Sequence, residues 1–279
     1  MFYTSLPFVV LNMYYICAIM SVRYYIILLL LALSPILAYG RDYRNIAWVP
    51  NAYSALEFPA IGKDEVILEY SGFVVNYNTV RLIPNWVAYE LTVEEVGGDV
   101  PRARGFSMDL NYPGRQAMRE DYSNSGWDKG HMAPSADMKW SQTAMTESFF
   151  LTNICPQDPT LNGRDWHTLE NRVRDWAKRF ERVWVVCGPV VQDNKYGTIG
   201  EQAVTVPDGF FKAILRQDAD GNWHTIAFVF ENNATQQPLQ GAVVAVDFLE
   251  ALIGYDLFAN LEDSIEIEIE SKASWEDWR

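Results

Sequence analysis

The stretch from Asn162 to Arg182 constrains this chain most. Trp166, Leu169, Val173, Trp176 and Phe180 recur at spacings of three and four, the period of one helical face. Apart from Ala177, polar and charged residues fill the positions between, so the helix must lay its apolar ridge on other apolar structure. Directly behind it Val183 to Cys187 reads as a buried strand, closed by Gly188-Pro189. Further strand-like runs are Glu65 to Tyr70, Phe73 to Tyr77, Trp86 to Leu91, a short Phe149 to Ile154, and Phe210 to Leu215 with Thr225 to Phe230, the last two parted by an Asp218 to Asn222 turn. Val243 to Leu252 reads as a second helix ending near Gly254. Residues 41–60 read as a loose lead-in, Glu94 to Pro101 as a charged loop, and 102–130 as a long irregular stretch of the kind that usually carries function. From Asp256 onward eight acids face two bases, Lys272 and Arg279, which predicts a solvated, self-repelling tail. No repeat and no linker divides residues 41–279, so they are expected to form a single domain.

Residues 1–40 read as an address rather than as fold. Arg23 is their only charge. It precedes the apolar run Tyr24 to Leu33, which Ser34-Pro35 breaks, and Ala38-Tyr39-Gly40 supplies the small residues of a cleavage site. The layout predicts a signal peptide, a mature start near Arg41, and a secreted or periplasmic product with no stable membrane association. Met1 to Ile19 makes the segment too long, and Met20 is read as the true start. The competing reading is an uncleaved anchor or a hairpin of two spans. An oxidising compartment would let Cys155 and Cys187 pair; the alternative is two buried thiols in strands.

With 49% hydrophobic and 14% aromatic residues, the chain has enough apolar surface to exclude disorder for most of its length. Its formal charge of −14 argues against holding a polyanion on a broad basic surface. Any such binding must rest on a local cationic pocket, a bound metal, or both.

Two motifs carry candidate chemistry. In Gly126-Trp127-Asp128-Lys129-Gly130-His131-Met132-Ala133-Pro134 a histidine stands in a Gly-flanked loop just behind an acid and a base. It is either a general base beside a phosphate-binding cation or one more structural histidine. In the helix, Asn162, Trp166, Glu170 and Arg174 follow one another at intervals of four and share a face. The row offers a neutral oxygen ligand, a carboxylate and a guanidinium, a set that suits Mg²⁺ and a phosphate. An ordinary surface pair, Glu170 with Arg174, is the competing reading. His131, His167 and His224 lack the spacing of zinc ligands; His167 reads as a surface or packing residue and His224 as structural.

Together these motifs resemble the DNA/RNA non-specific endonucleases, the ββα-metal nucleases that include endonuclease G-like enzymes. The family's Asp-Arg-Gly-His signature is present as Asp128-Lys129-Gly130-His131, and its Asn-x-x-Pro-Gln element as Asn153 to Gln157. Its metal helix is Asn162 to Glu170. Its upstream arginine, with an aromatic two residues on and an aspartate five on, is matched by Arg104, Phe106 and Asp109. Weaker echoes lie at Trp86 to Tyr89, Pro207 to Lys212 and Glu250 to Phe258, so the resemblance spans roughly residues 56 to 260.

The resemblance implies an α+β fold: a mainly antiparallel central sheet with flanking helices and a ββα-metal finger. It implies hydrolysis of DNA and RNA to 5′-phosphate products with a single Mg²⁺, Mn²⁺ being a substitute. His131 would be the general base, and Asn162 the direct metal ligand, with Glu170 acting through the metal's water. Arg104 and Arg174 would meet the phosphate, Lys129 and Asp128 would complete the signature, and Asn153 would help shape the site. Lys129 departs from the family's arginine; it keeps the charge but loses the planar fork that grips phosphate at two points. The rate is expected to fall as His131 titrates. The alternatives are an inactive nuclease-fold binding module and a phosphodiesterase of small substrates.

Overall fold

The computed structural model describes residues 55–279, so the expected signal segment and most of the lead-in lie outside the described residues. The main sheet has seven strands, β1 (Val66–Glu69), β2 (Val74–Asn78), β3 (Ile83–Thr92), β6 (Arg182–Val190), β9 (Gly209–Gln217), β10 (Trp223–Glu231) and β11 (Val243–Val244), in that spatial order. Every neighbouring pair is antiparallel. Strands β4 (Asp128–His131) and β5 (Ile154–Gln157) form a separate antiparallel pair, as do β7 (Thr198–Ile199) and β8 (Val204–Thr205). The helices are α1 (Val93–Val96), α2 (Gln142–Glu147), α3 (Pro159–Leu161), α4 (His167–Phe180), α5 (Val246–Ile253) and α6 (Asp263–Ile269). The chain has the α+β architecture that its sequence resemblance implies.

The sheet is covered on both faces, and the strand period of two sorts its side chains between them. Val183, Val185 and Cys187 of β6, with Phe210 and Ile214 of β9, join one core together with Leu169, Val173 and Trp176 of α4. The intervening Trp184, Val186, Phe211, Ala213 and Leu215 join a second core with Val246 and Leu249 of α5. Burial on both sides explains why β6 reads as a continuous apolar run rather than as an alternation. The first core also takes in Met132, Ile154, Cys155 and Leu161, which places the β4–β5 pair on the α4 face.

Several sequence expectations are corrected. Phe149 to Ile154 is not a strand: Leu151–Asn153 forms a 3₁₀ turn, and β5 begins only at Ile154. The Glu94 region starts as helix α1, because Thr92 and Glu95 make a reciprocal capping box. The histidine loop is strand β4, paired residue for residue with β5. The second helix begins at Val246, after two residues of strand, and ends at Gly254 with φ of 76°. The acidic tail is not loose. It forms α6, and Trp278 then packs edge-on against Trp176 of α4, with its carbonyl accepting from the Trp176 indole at 2.7 Å. Cys155 and Cys187 are separate buried thiols, the Cys187 thiol donating to the Met132 carbonyl at 3.2 Å.

Candidate active site

The β4–β5 pair followed by α3 and α4 is a ββα unit, and it brings both sequence motifs to one cleft. Gly130 is a condition of that pairing. A Cβ there would lie 2.7 Å from the Gln157 Cβ and nearer still to its amide, so only glycine lets β4 lie this close to β5. Asn153 fixes the next residues. Its side-chain oxygen accepts from the Ala133 N–H at 2.9 Å, and its amide donates to the Ala133 and Ser148 carbonyls at 3.0 and 2.9 Å. Asn153 is therefore wholly occupied in holding the backbone beside His131, and it does not line the cleft.

Between α3 and α4 the chain makes a wide π turn, Asn162–Trp166. Such turns recur at functional sites, because the extra residue re-aims the side chains around it. Here Asn162 leans on β4: its amide donates to the Asp128 carboxylate at 2.9 Å, which leaves its carbonyl oxygen available. Trp166 turns the other way, into the core against Phe210 and Phe230.

The cleft has a volume of about 370 Å³, and its lining includes Arg102, Lys129, His131, Asn162, Glu170 and Arg174. His131 is only 8% exposed, packs against the mutually touching rings of Phe106 and Phe149, and has no hydrogen-bond partner at Nε2. Burial, with Arg102 nearby, pushes its pKa down to about 3, so the ring is neutral at ordinary pH. Glu170 is pushed the other way, up to about 7, chiefly by desolvation; Lys212 opposes that rise and Asp137 adds to it. Arg174 is held rigidly, donating to Asp137 at 2.6 Å and to Asn171 at 2.7 Å. The Lys129 ammonium sits 5.0 Å from the Tyr122 ring centre and 5.8 Å from that of Phe106, and desolvation lowers its pKa.

Of the residues singled out from sequence, His131, Lys129, Asn162, Glu170 and Arg174 meet at the cleft, and Asp128 supports Asn162 from behind. Arg104 is exposed and stands outside the lining residues. The arginine that lines the cleft from this segment is Arg102, which donates to Ser135 and lies 5.0 Å from the Phe149 ring centre. Asp137, fully buried beneath Arg174 and also bound by the Tyr89 hydroxyl at 2.9 Å, had no sequence signal of its own. Lys212, buried on β9 with its ammonium 4.7 Å from the Trp166 ring centre, stands only at the end of the weak Pro207 to Lys212 echo, with no role attached to it. Folding brings these two to Arg174 and Glu170. Of the other histidines, His167 is exposed at the cleft rim, and His224 pairs with Asp218 at 3.0 Å away from the cleft.

The oxygen donors present suit a hard divalent cation: the free Asn162 amide oxygen and one carboxylate at the cleft, Glu170, while the neutral His131 imidazole with its unpartnered Nε2 stands beside them as a proton acceptor. Three cationic side chains stand around them, in a protein whose overall charge is strongly negative.

A ββα finger packed on an antiparallel sheet, with histidine, asparagine and basic residues in one cleft, defines the ββα-metal nucleases. The profile of the DNA/RNA non-specific endonucleases matches residues 50–264, and the chain belongs to that family. It is similar to human "Nuclease EXOG, mitochondrial", with 36% identity over 71% of this chain and 58% of that protein. It is similar to human "Endonuclease G, mitochondrial", with 32% identity over 63% of this chain and 64% of that one. Against Nuclease C1 of Cunninghamella echinulata var. echinulata it shows 33% identity over 77% of this chain and 91% of that one. The chain thus spans less than two thirds of the length of the two human relatives. Its fold is similar to a crystal structure of an EndoG/EndoGI complex, with TM-score 0.70 and 28% identity over 78% of this chain and 96% of that one. These relatives overturn the expected secreted or periplasmic location, since EXOG and endonuclease G are named as mitochondrial proteins.

Proposed function

We propose that this chain is a divalent-metal-dependent endonuclease that hydrolyses the phosphodiester bonds of both DNA and RNA, leaving 5′ phosphates. The observation that carries this reading is the cleft itself, which gathers a neutral buried histidine, an oriented asparagine oxygen and three cations. His131 takes the proton of the attacking water. Its depressed pKa keeps it in the base form, at the cost of weak basicity. Arg102, Lys129 and Arg174 oppose the charge of the bound phosphate, and the Asp137 pairing keeps Arg174 from following it. Asn162 offers its oxygen to Mg²⁺, with Glu170 the second residue suited to the ion. When bound, the ion supplies Lewis-acid stabilisation of the charge developing on the phosphate and leaving oxygen. Contacts confined to phosphate and sugar would leave base sequence unread.

The test is digestion of single- and double-stranded DNA and RNA in Mg²⁺ or in EDTA. Cleavage of all four in Mg²⁺ and of none in EDTA is expected. Undiminished cleavage in EDTA, or turnover of small phosphodiesters only, would overturn the reading. We also infer a mitochondrial address, which rests on the relatives' names alone. Fractionation of cells expressing the full chain checks it, and a purely extracellular protein would refute it.

A further inference from the structure

We infer that Asp247, Glu250 and Glu270 form a structural cation site of the calcium type, on the sheet face opposite the cleft, that fastens the C-terminal segment to α5. One oxygen from each of the three lies within 4.8 Å of the others. That is inside the ~5 Å separating two oxygens on opposite sides of a Ca²⁺ held at 2.3–2.6 Å. The residues come from two separate segments. Asp247 and Glu250 lie on one face of α5, and Glu270 caps α6; the Asp247 N–H donates to the Glu270 carbonyl at 3.2 Å. The face is fixed by packing, since Val246 and Leu249 of α5 belong to the second core and Ile269 packs against it.

Glu270 sets this group apart from an ordinary acidic surface. It is only 4% exposed, and its Oε1 is buried without a hydrogen-bond partner. Glu266 Oε1 beside it is orphaned in the same way. A buried carboxylate oxygen with neither donor nor counter-ion is costly, and a buried charge is normally paired or bound to a metal. Burial first, and then the neighbouring acids Glu250, Glu266, Asp247 and Asp256, push Glu270 up to about 9. Glu250 gives one oxygen to the Leu257 N–H at 2.7 Å and keeps the other. The donors are all hard oxygens, Asp247 stands open to water that can complete the shell, and the ligand set is irregular. Ca²⁺ accepts such sets, whereas Mg²⁺ demands a tighter octahedron.

The experiment is thermal melting and calorimetric Ca²⁺ titration of the full chain, alongside Asn162→Ala, Glu270→Gln and Asp247→Asn. Asn162→Ala weakens the cleft as a competing site. Ca²⁺ at a hundredfold excess over its Kd should raise the melting temperature by about 5–10 °C in the wild type and in Asn162→Ala alike. Glu270→Gln should lose that response. Asp247→Asn, an exposed change, should weaken it at least tenfold and serves if Glu270→Gln does not fold. Three results would overturn the proposal: no Ca²⁺ response in Asn162→Ala, which would mean the acids are held by shared protons; an undiminished response in both acid variants; or Mg²⁺ as effective as Ca²⁺.

Discussion

His131 and Asn162 stand on adjoining elements but are held for different work, and the difference can be measured. His131 packs against a touching pair of phenylalanine rings without a partner at Nε2, whereas Asn162 is tethered to Asp128. His131→Ala should lower cleavage by about 10²–10⁴ and leave Mg²⁺ affinity intact. Asn162→Ala should weaken Mg²⁺ binding, so that its activity recovers in part at high Mg²⁺. A calorimetric titration of both variants decides it: loss of metal affinity in His131→Ala alone would mean the roles are exchanged. The pH dependence follows from the same site. An ordinary imidazole would switch off near pH 6.5, but burial pushes His131 down to about 3, so it stays neutral through the usual range. Glu170, pushed up to about 7, is the group that changes charge there: it is protonated below that pH and ionised above it. At limiting Mg²⁺, kcat/KM should therefore fall as pH drops through about 7. Raising Mg²⁺ should move that limb to lower pH, because metal and proton compete for the carboxylate. A limb unmoved by Mg²⁺ would exclude Glu170 as its source.

At the scale of elements, the ββα unit depends on side-chain grips more than on strand propensity. Asn153→Ala would leave the Ala133 N–H and the Ala133 and Ser148 carbonyls unpaired in a buried place, at about 1–3 kcal/mol for each group that water cannot reach. Urea unfolding should show the loss, and a fall in kcat should accompany it, since the same backbone carries His131. A variant as stable as the wild type would show that the clamp is dispensable. This dependence also explains what was legible in the sequence. Helix α4 and strands β6, β9 and β10 could be read because their apolar periods are strong and local. The Asp128–His131 strand could not, because aspartate and glycine have little strand propensity and the pairing is made by β5 and the fit of Gln157 over Gly130. Helix α1 did carry a signal, the Thr92-to-Glu95 spacing of a capping box. Five cleft-lining residues were legible through motif spacing. Arg102 and the buried Asp137 were not, and Lys212 showed only as the end of a weak echo, since only tertiary packing brings them to His131, Arg174 and Glu170.

For the whole molecule, the two faces of the sheet divide the electrostatic work. The α4 face concentrates Arg102, Lys129 and Arg174 around one cleft, while the α5 face carries the Asp247, Glu250 and Glu270 cluster. A polyanion can thus be met locally by a protein with a net charge of −14. The C-terminal segment joins the two faces, because beyond α6 it reaches α4, where Trp278 is 1% exposed. That indole stands 4.8 Å from the Trp176 ring centre and 6.1 Å from that of Phe180, with the Arg216 guanidinium 4.9 Å from its own ring centre. The density of acids suggests a solvated tail, but burying so large a ring outweighs the repulsion among charges that mostly remain in water. Trp278→Ala should therefore cost about 3–5 kcal/mol of stability, the range for a buried tryptophan whose cavity does not collapse. Its nuclease activity per folded molecule should be retained at low temperature, because Trp176 and Phe180 lie toward the end of α4 away from Asn162. Urea unfolding with an activity assay on the folded fraction makes the measurement. A loss below about 1 kcal/mol would mean the segment contributes no more than an exposed tail.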